Sequence, residues 1–458
     1  MIVACIDIGS TWTKGATFRV TGGEVSLLAR AARPTTVANL GDGFFAVLQA
    51  IVDGEPLSLL RDGQLKLQYS SSAKGGLAVA AIGLVPEMTL EIGKIAAQSA
   101  GAKLSKVFAY QLSRQDIAGL EASPPDILLF AGGTDGGNTN YVLANARAIG
   151  CSAIDCEIVY AGNRAIADEV AELLAGKRLR IVDNLMPVFN EPNPDPARDA
   201  IRAIFLETIV KGKGLDRLME ITGAAPVPTP FAVLEYTRAI HEHVAGWESF
   251  MLFDMGGATT DVYSVHQEVP EQGVFLRGLP EPEVKRTVEG DLGMRVSAQT
   301  TVQAAAPAQC AVVGIEAAEF GHYANRLVAQ PDHLPESPQE ERLDTLLAGV
   351  CVGHGCARHV GRATKVYTPD GEIMMQTGRD LRQVARVIGS GGWLARAENF
   401  DPAPWFAQQA VDARGRLVLV PQHFTYYRDD QYLFPLLANL AREYPQAAAE
   451  AGVRLLKN

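Results

Sequence analysis

The chain predicts an α/β protein of two related lobes, the first carrying an α/β extension, and three observations lead there. Its 458 residues exceed what one ordinary hydrophobic core supports. An apolar strand ending in Asp-x-Gly, then a turn and a second strand, opens the chain at residues 2–20 and returns in altered form at 250–266. From residue 126 strands and helices alternate strictly, the pattern of parallel strands joined by crossover helices. The expected division is a first lobe at 1–240, its extension at about 126–220, and a second lobe at 241–458.

Taken in order, the opening IVACIDIGS and WTKGATFRV read as strands around a tight turn, with Gly22-Gly23 leading into a third. Phe44, Val47, Leu48 and Ile51 share one face of a helix over about 43–53, ended by Gly54. A strand at 65–71 and a helix at about 90–100, stopped by Gly101, follow. In the extension the strands are DILLFAGG, EIVYAGN and LRIVDN, with helices at about 139–149 and 163–175. Asp195-Pro196 opens a helix with Ile201, Ile204, Phe205 and Ile209 inward. The proline-rich stretch 222–230 reads as a loop or linker, and 331–342 as a polar loop. The chain closes on a strand at RLVLV and a helix after Tyr432.

A hydrophobic fraction of 47%, a charged fraction of 20% and a net charge of −11 exclude a disordered chain and argue against nucleic acid as partner. Six cysteines spread from Cys5 to Cys356 are no disulfide framework. The N-terminus lacks the regions of a signal peptide, and the apolar stretch near 75–85 is too short for a bilayer. A cytoplasmic protein with no membrane contact is expected.

Three segments carry the chemistry. In Asp7-Ile8-Gly9-Ser10-Thr11-Trp12-Thr13-Lys14 a strand delivers a carboxylate to a turn where Gly9 permits close backbone approach. Ser10 and Thr11 offer N–H and hydroxyl donors, an arrangement that cradles phosphate oxygens, and Lys14 returns on the next strand as a point charge. Asp254-Met255-Gly256-Gly257-Ala258-Thr259-Thr260-Asp261 repeats the design. Two such hairpins facing each other grip a triphosphate, with Asp7 and Asp254 on one Mg²⁺ through water, since that ion dehydrates reluctantly. The third segment, Ile388-Gly389-Ser390-Gly391-Gly392, reads as a glycine-rich strand-to-helix turn for a base, ribose or phosphate.

These residues resemble the phosphate-1, phosphate-2 and adenosine motifs of the actin/Hsp70/sugar-kinase superfamily. That resemblance implies two ribonuclease-H-like lobes around a nucleotide cleft. Over nearly its whole length the chain also resembles the MutL family of glutamate-mutase accessory proteins, unrelated to the mismatch-repair protein of that name. The resemblance rests on SSAKGGLAVAAIGLVPEMT at 71–89, LLFAGGTDGGN at 128–138, VYAGN at 159–163 and VDNLMP at 182–187. It continues with FDMGGATTDVYSV at 253–265, KRTVEGDLGMR at 285–295 and QTGRDLRQVARVIGSGG at 376–392. It implies ATP/ADP and Mg²⁺ as cofactors and a slow ATPase serving as reactivating factor for a coenzyme-B12-dependent mutase, exchanging damaged cobalamin for intact cofactor. By motif position it implies nucleotide contacts at Gly9, Ser10, Thr11, Gly256, Gly257, Thr259, Gly389, Gly391 and Gly392, with Asp7, Lys14 and Asp254 catalytic. A small-molecule kinase on the same scaffold and an ATP-binding regulatory or assembly protein stay open as alternatives, as does a homodimer.

Other residues keep two readings. Asp261 orients water, holds Thr259 or stabilises its turn; Thr287, Glu289, Gly290 and Asp291 form a loop beside the nucleotide or a structural turn. Asp135, Gly136, Gly137 and Asn138 bind an anion or cap a helix, the second being favoured. Cys351, His354, Cys356 and His359 point in divergent directions if helical, which disfavours a metal site. Trp12 packs against its lobe in preference to shielding a cleft, and Thr13 faces away.

Overall fold

The first strand, β1 (Ile2–Ile8), is buried along its whole length after Ile2, so it belongs in the middle of a sheet. The computed structural model describes residues 1–458 except 37–38, 73–76, 87, 211–214, 224, 270–271 and 370; part of the 71–89 stretch thus lies outside the described residues. β1 pairs antiparallel with β2 (Trp12–Thr21), which pairs antiparallel with β3 (Glu24–Pro34). The turn between them needs Gly22 and Gly23, at φ of 58° and 85°. On its other side β1 runs parallel to β4 (Leu65–Ser71). Helix Leu40–Ile51, capped by Asn39, buries Phe44, Val47, Leu48 and Ile51 and packs on β1, β2 and β3.

Residues 76–212 form a compact unit of their own, earlier in start than the expected extension at 126–220. Its strands are β5 (Ala78–Gly83), β6 (Lys103–Ala109), β7 (Ile127–Phe130), β8 (Glu157–Tyr160) and β9 (Arg178–Ile181). They run all parallel in the order β6-β5-β7-β8-β9. Strand β5, AVAAIG, was illegible because alanine and glycine carry little strand signal. The helices Asn140–Gly150 and Ala167–Leu173 fall where the alternation placed them. Helix Asp195–Val210 buries Ile201, Ile204 and Phe205; the side chain of Ile209 is outside the described residues.

The other unit comprises residues 1–75 and 213–458. Stretch 222–230 is no linker. It supplies β10 (Val227–Pro228), parallel to β4, and starts helix Thr229–His243. A two-residue strand rich in proline shows no period, which is why it read as a loop. Nine strands then follow among the described residues: β11 (Phe250–Met255), β12 (Thr260–Val265), β13 (Val274–Arg277), β14 (Val284–Glu289), β15 (Arg362–Thr368), β16 (Gly371–Thr377), β17 (Arg386–Ser390), β18 (Leu417–Val418) and β19 (Thr425–Arg428).

Two five-stranded sheets result, β10-β4-β1-β2-β3 and β14-β12-β11-β17-β19. Read from the first strand of each, they match: three antiparallel strands, then two parallel to the first. The repeat visible in sequence only at the hairpins therefore extends over five strands. A smaller sheet, β13-β16-β15-β18, branches off the second half.

Helix Thr229–His243 packs on β12 and β14, whereas the C-terminal helices Phe434–Ala441 and Pro445–Leu455 pack back on β1 to β4. One apolar core therefore joins Val3, Cys5 and Phe18 to Phe250, Leu252 and Tyr263. Burying each large side chain contributes about 1.5–3 kcal/mol. A boundary at 240/241 would strip both sheets of their helices, and the compact unit does not follow it.

Helix Pro338–His359, capped by Ser337, begins inside the segment expected to be a polar loop. His359 ends it fully buried, Nδ1 2.8 Å from Thr287 Oγ1 and Nε2 2.7 Å from Ser264 Oγ. Both ring nitrogens thus have hydroxyl partners, and Arg379 also donates to Ser264 Oγ. Burial, then Lys285 and Arg379, holds the imidazole well below its ordinary range. The unfolded chain takes up this proton below pH about 6.5 and the folded chain does not. Stability should therefore fall as pH drops through that value, by about 1.4 kcal/mol per pH unit for one proton. In urea denaturation between pH 5 and 7.5, His359→Gln should flatten the slope by that amount; an unchanged slope would contradict the assignment.

Candidate functional site

Asp7, at the buried end of β1, stands opposite Lys14 on β2 and Ser70 on β4. Its Oδ1 accepts from Thr229 Oγ1 at 2.6 Å and Ser70 Oγ at 3.1 Å. In the turn beyond it, Gly9 N donates to Trp12 O at 3.1 Å, and a Cβ on Gly9 would lie 2.7 Å from that oxygen. Only glycine fits so close an approach. Thr35 Oγ1 donates to Gly9 O at 2.8 Å and meets Thr13 Oγ1 at 3.1 Å, so Thr13 braces the turn from behind. The Ser10 and Thr11 hydroxyls make no hydrogen bond among the described residues.

The second hairpin copies the first. Asp254 on β11 stands opposite Asp261 on β12 and Ser390 on β17, the same neighbours by position that Asp7 has in Lys14 and Ser70. Gly256 N donates to Thr259 O at 2.8 Å, the bond Gly9 makes to Trp12. The copy departs in charge. Asp261 takes Lys14's place and is held by buried Arg286, with Nε 2.8 Å from Oδ1, so it serves an internal ion pair. Thr259 Oγ1 donates weakly to Asp261 at 3.4 Å.

The two hairpins meet. A Cβ on Gly257 would lie 3.4 Å from Thr11 Cγ2, and Asp7 and Asp254 lie close enough for Asp7's charge to act on Asp254. Sequence reading missed a third carboxylate, Asp429, just beyond β19. It accepts from Ser390 Oγ at 2.9 Å and from Leu433 and Phe434 N at 2.7 and 2.9 Å, capping helix Phe434–Ala441. Thr229 was missed equally, lying in the supposed linker. Asn439 on that C-terminal helix donates to Ile6 O and Ser70 Oγ, tying it to the first sheet.

Lys14 is ringed by these groups, its Nζ 3.4 Å from the Tyr432 ring centroid. Burial lowers its pKa, while Asp7, Asp254 and Asp429 pull it back up. Asp254 keeps a small solvent-facing surface yet is otherwise enclosed. Burial first, then Asp261, Asp7 and Asp429, push its carboxyl up to about 7 against the pull of Lys14. Burial likewise raises Asp7 and Asp429. One ammonium among three carboxylates leaves excess negative charge.

Beside them opens a cavity of about 1210 Å³ lined by Thr11, Trp12, Lys14, Gly256, Gly257 and Gly392. All three glycine-bearing segments thus reach one space. Arg30, Arg33, Arg295 and Arg396 also line it, as do Asp332, Glu341, Asp344, Glu398 and Asp430, and Arg295 is paired with Asp344, so the lining is of mixed charge. Trp12 is 38% exposed at this cavity and is not packed away as expected. Of the third segment only Gly392 lines the space, and no helix follows it. Gly389 makes room for Tyr426, whose hydroxyl would lie 2.0 Å from a Cβ, and Gly391, at φ 111°, lies against Met255 O.

The remaining candidates serve the fold. Asp135 accepts from Arg164 N and Asn184 Nδ2, both at 2.9 Å, within the 76–212 unit. Asn138 accepts from Tyr141 N at 3.4 Å, while Gly136 N donates to Asn163. Glu289 and Asp291 share Arg358, and Thr287 holds His359. Cys351, His354, Cys356 and His359 all lie on helix Pro338–His359.

A family model described as MutL protein matches residues 3–455. The chain belongs to the MutL protein family. Within it, Protein MutL of Clostridium tetanomorphum is 36% identical over 471 residues, covering 99% of this chain and 97% of that one. Among solved structures, a nucleotide-free acetone carboxylase is 15% identical with a TM-score of 0.37, covering 96% of this chain and 70% of that one. Glycerol dehydratase reactivase is 10% identical with a TM-score of 0.33, covering 96% of this chain and 100% of that one. Diol dehydratase-reactivating factor in nucleotide-free form is 11% identical with a TM-score of 0.29, covering 99% of each chain.

In this MutL-family chain the Thr229–Asp7 bond has a measurable weight. Thr229→Val should cost about 1.5–3 kcal/mol in urea denaturation, the range for hydrogen bonds to charged groups. In an Asp7→Asn background the loss should shrink; equal losses in both backgrounds would deny the coupling.

Proposed function

We propose that this chain binds ATP with Mg²⁺ in the cavity beside Lys14, hydrolyses it slowly, and uses the cycle to service a coenzyme-B12-dependent mutase. The observation that carries the reading is the convergence of two copied hairpins and a third glycine segment on one cavity that Lys14 also lines. Backbone N–H groups of the Gly9–Thr11 turn and the Gly256–Gly257 turn, with the free Ser10 and Thr11 hydroxyls, suit the oxygens of a polyphosphate. Lys14 supplies charge to the phosphate chain, and Gly392 leaves room for the nucleoside. The two five-stranded halves act as ribonuclease-H-like lobes.

The carboxylates fit a divalent cation. Asp7, Asp254 and Asp429 repel one another in an enclosed place, and a cation would relieve that repulsion. Mg²⁺ gives up its water reluctantly, so Asp7 and Asp254 would hold it through that water. Bound there, the ion would neutralise phosphate charge. Water attacks the terminal phosphorus in line as the bond to the bridging oxygen breaks, ADP leaves, the water's proton passes to a phosphate oxygen, and the turn N–H groups and Lys14 stabilise the charge that develops. No helix among the described residues is long and apolar enough to cross a membrane.

The mutase part of the proposal draws on family membership, and ADP and ATP states with different partner affinity would link it to the cavity. Mg-ATP at 100 times its dissociation constant should stabilise the chain by about 2.7 kcal/mol, a shift of about a few degrees. Asp254→Ala should remove the Mg²⁺-dependent part of that shift, and Lys14→Met should weaken ATP at least about tenfold while the free protein stays folded. A full shift in both variants would sink the site assignment. Regained turnover of inactivated, cobalamin-loaded mutase on adding the protein and ATP would support the reactivase; phosphorylated small molecules without such recovery would select the kinase.

A further inference from the structure

The small sheet β13-β16-β15-β18 leaves apolar side chains open to solvent. Val269, Phe275, Leu276 and Tyr367 on and beside it are 76%, 58%, 47% and 78% exposed. Register divides the strand residues between the faces: Phe275, Met375, Ile373 and Val366 emerge on one, Val274, Leu276, Met374 and Tyr367 on the other. A sheet with an apolar side chain set on each face has no single core to serve. Among the described residues its terminal strand β13, VFLR, has no strand beyond it, and the strand itself carries no lysine, proline or bulge of the kind that blunts an edge.

We propose that β13 is a pairing edge for a second copy of this chain, strand against strand and antiparallel about a two-fold axis through Phe275. Symmetry selects the register. A two-fold axis perpendicular to the joined sheet preserves faces, and residues directly opposite share a face, so some residue must face its own copy. Centring on Phe275 places Phe275 against Phe275 and Val274 against Leu276, all apolar, with Arg277 opposite Gly273. Centring on Leu276 sets Phe275 against arginine, and centring on Arg277 sets like charges together, which is unfavourable. The Phe275 register alone matches every apolar residue of the strand with another. It joins two four-stranded sheets into one continuous sheet and closes the edge, so assembly stops at two. Four residues of strand make a small interface, which belongs to the weak class. Each copy carries a net charge of −11, so raising salt should strengthen the pair.

Sedimentation velocity from about 1 to 100 μM should show a concentration-dependent monomer–dimer equilibrium for the full chain. Phe275→Glu should abolish it, and Tyr141→Glu, an exposed aromatic elsewhere, should not. In a Cys151→Ser background, Phe275→Cys should oxidise to a covalent dimer, because facing residues are close enough for a disulfide. Leu276→Cys, displaced from its copy, should not. A wild-type chain monomeric at the highest concentration would overturn the proposal, as would a dimer that survives Phe275→Glu or cross-links equally through both cysteines. Melting curves of each variant, whose substituted side chains are exposed, report that folding is intact.

Discussion

Three carboxylates and one ammonium enclosed at the meeting of two sheets are the constraint around which this molecule is organised. Burial pushes each of them toward its neutral form, raising the carboxyls of Asp7, Asp254 and Asp429 and lowering the ammonium of Lys14. What opposes it is local: Thr229 and Ser70 on Asp7, Ser390 and two backbone amides on Asp429, and Lys14 among them all. Such an arrangement costs stability unless something charged completes it, and perturbed groups of this kind cluster where chemistry is done.

Duplication explains how one chain builds it. Both five-stranded sheets send a carboxylate to the end of their first strand, a serine to the parallel neighbour and a glycine to the turn. The differences between copies set the polarity of the site. Lys14 in the first is matched by Asp261 in the second, which Arg286 neutralises away from the cavity. Thr229 beyond one fifth strand is matched by Asp429 beyond the other. Helices are exchanged between halves, so each sheet is covered by helices that follow the fifth strand of the other.

How much of this was legible depended on which residues carried local signal. The hairpins announced themselves because the Asp-x-Gly turn between strands occurs twice and a third glycine segment follows, and the strand–helix alternation of 126–181 followed from runs such as ILLF and EIVY. Strand β5 was lost to alanine and glycine, and β10 to two residues among prolines. Asp429 and Thr229 carry no motif, since their place is set by the pairing of β19 with β17 and of β10 with β4, and only tertiary contact reveals it. Gly389 and Gly391 were read as ligand-binding glycines, and the structure adds a packing demand that sequence does not show, since a Cβ there would meet Tyr426 and Met255. Trp12 went astray for the opposite reason: an aromatic residue reads as core until its strand is seen to end at a cavity.

Everything turns on whether both hairpins grasp one polyphosphate at once. Amide hydrogen–deuterium exchange with and without Mg-ATP measures that directly, because it reads the two turns separately in the same molecule. The account predicts that exchange slows at Gly9–Trp12 and at Gly256–Thr259 together, with the same dependence on nucleotide concentration. Protection of one turn alone, or of neither while ATP is bound elsewhere, would contradict it.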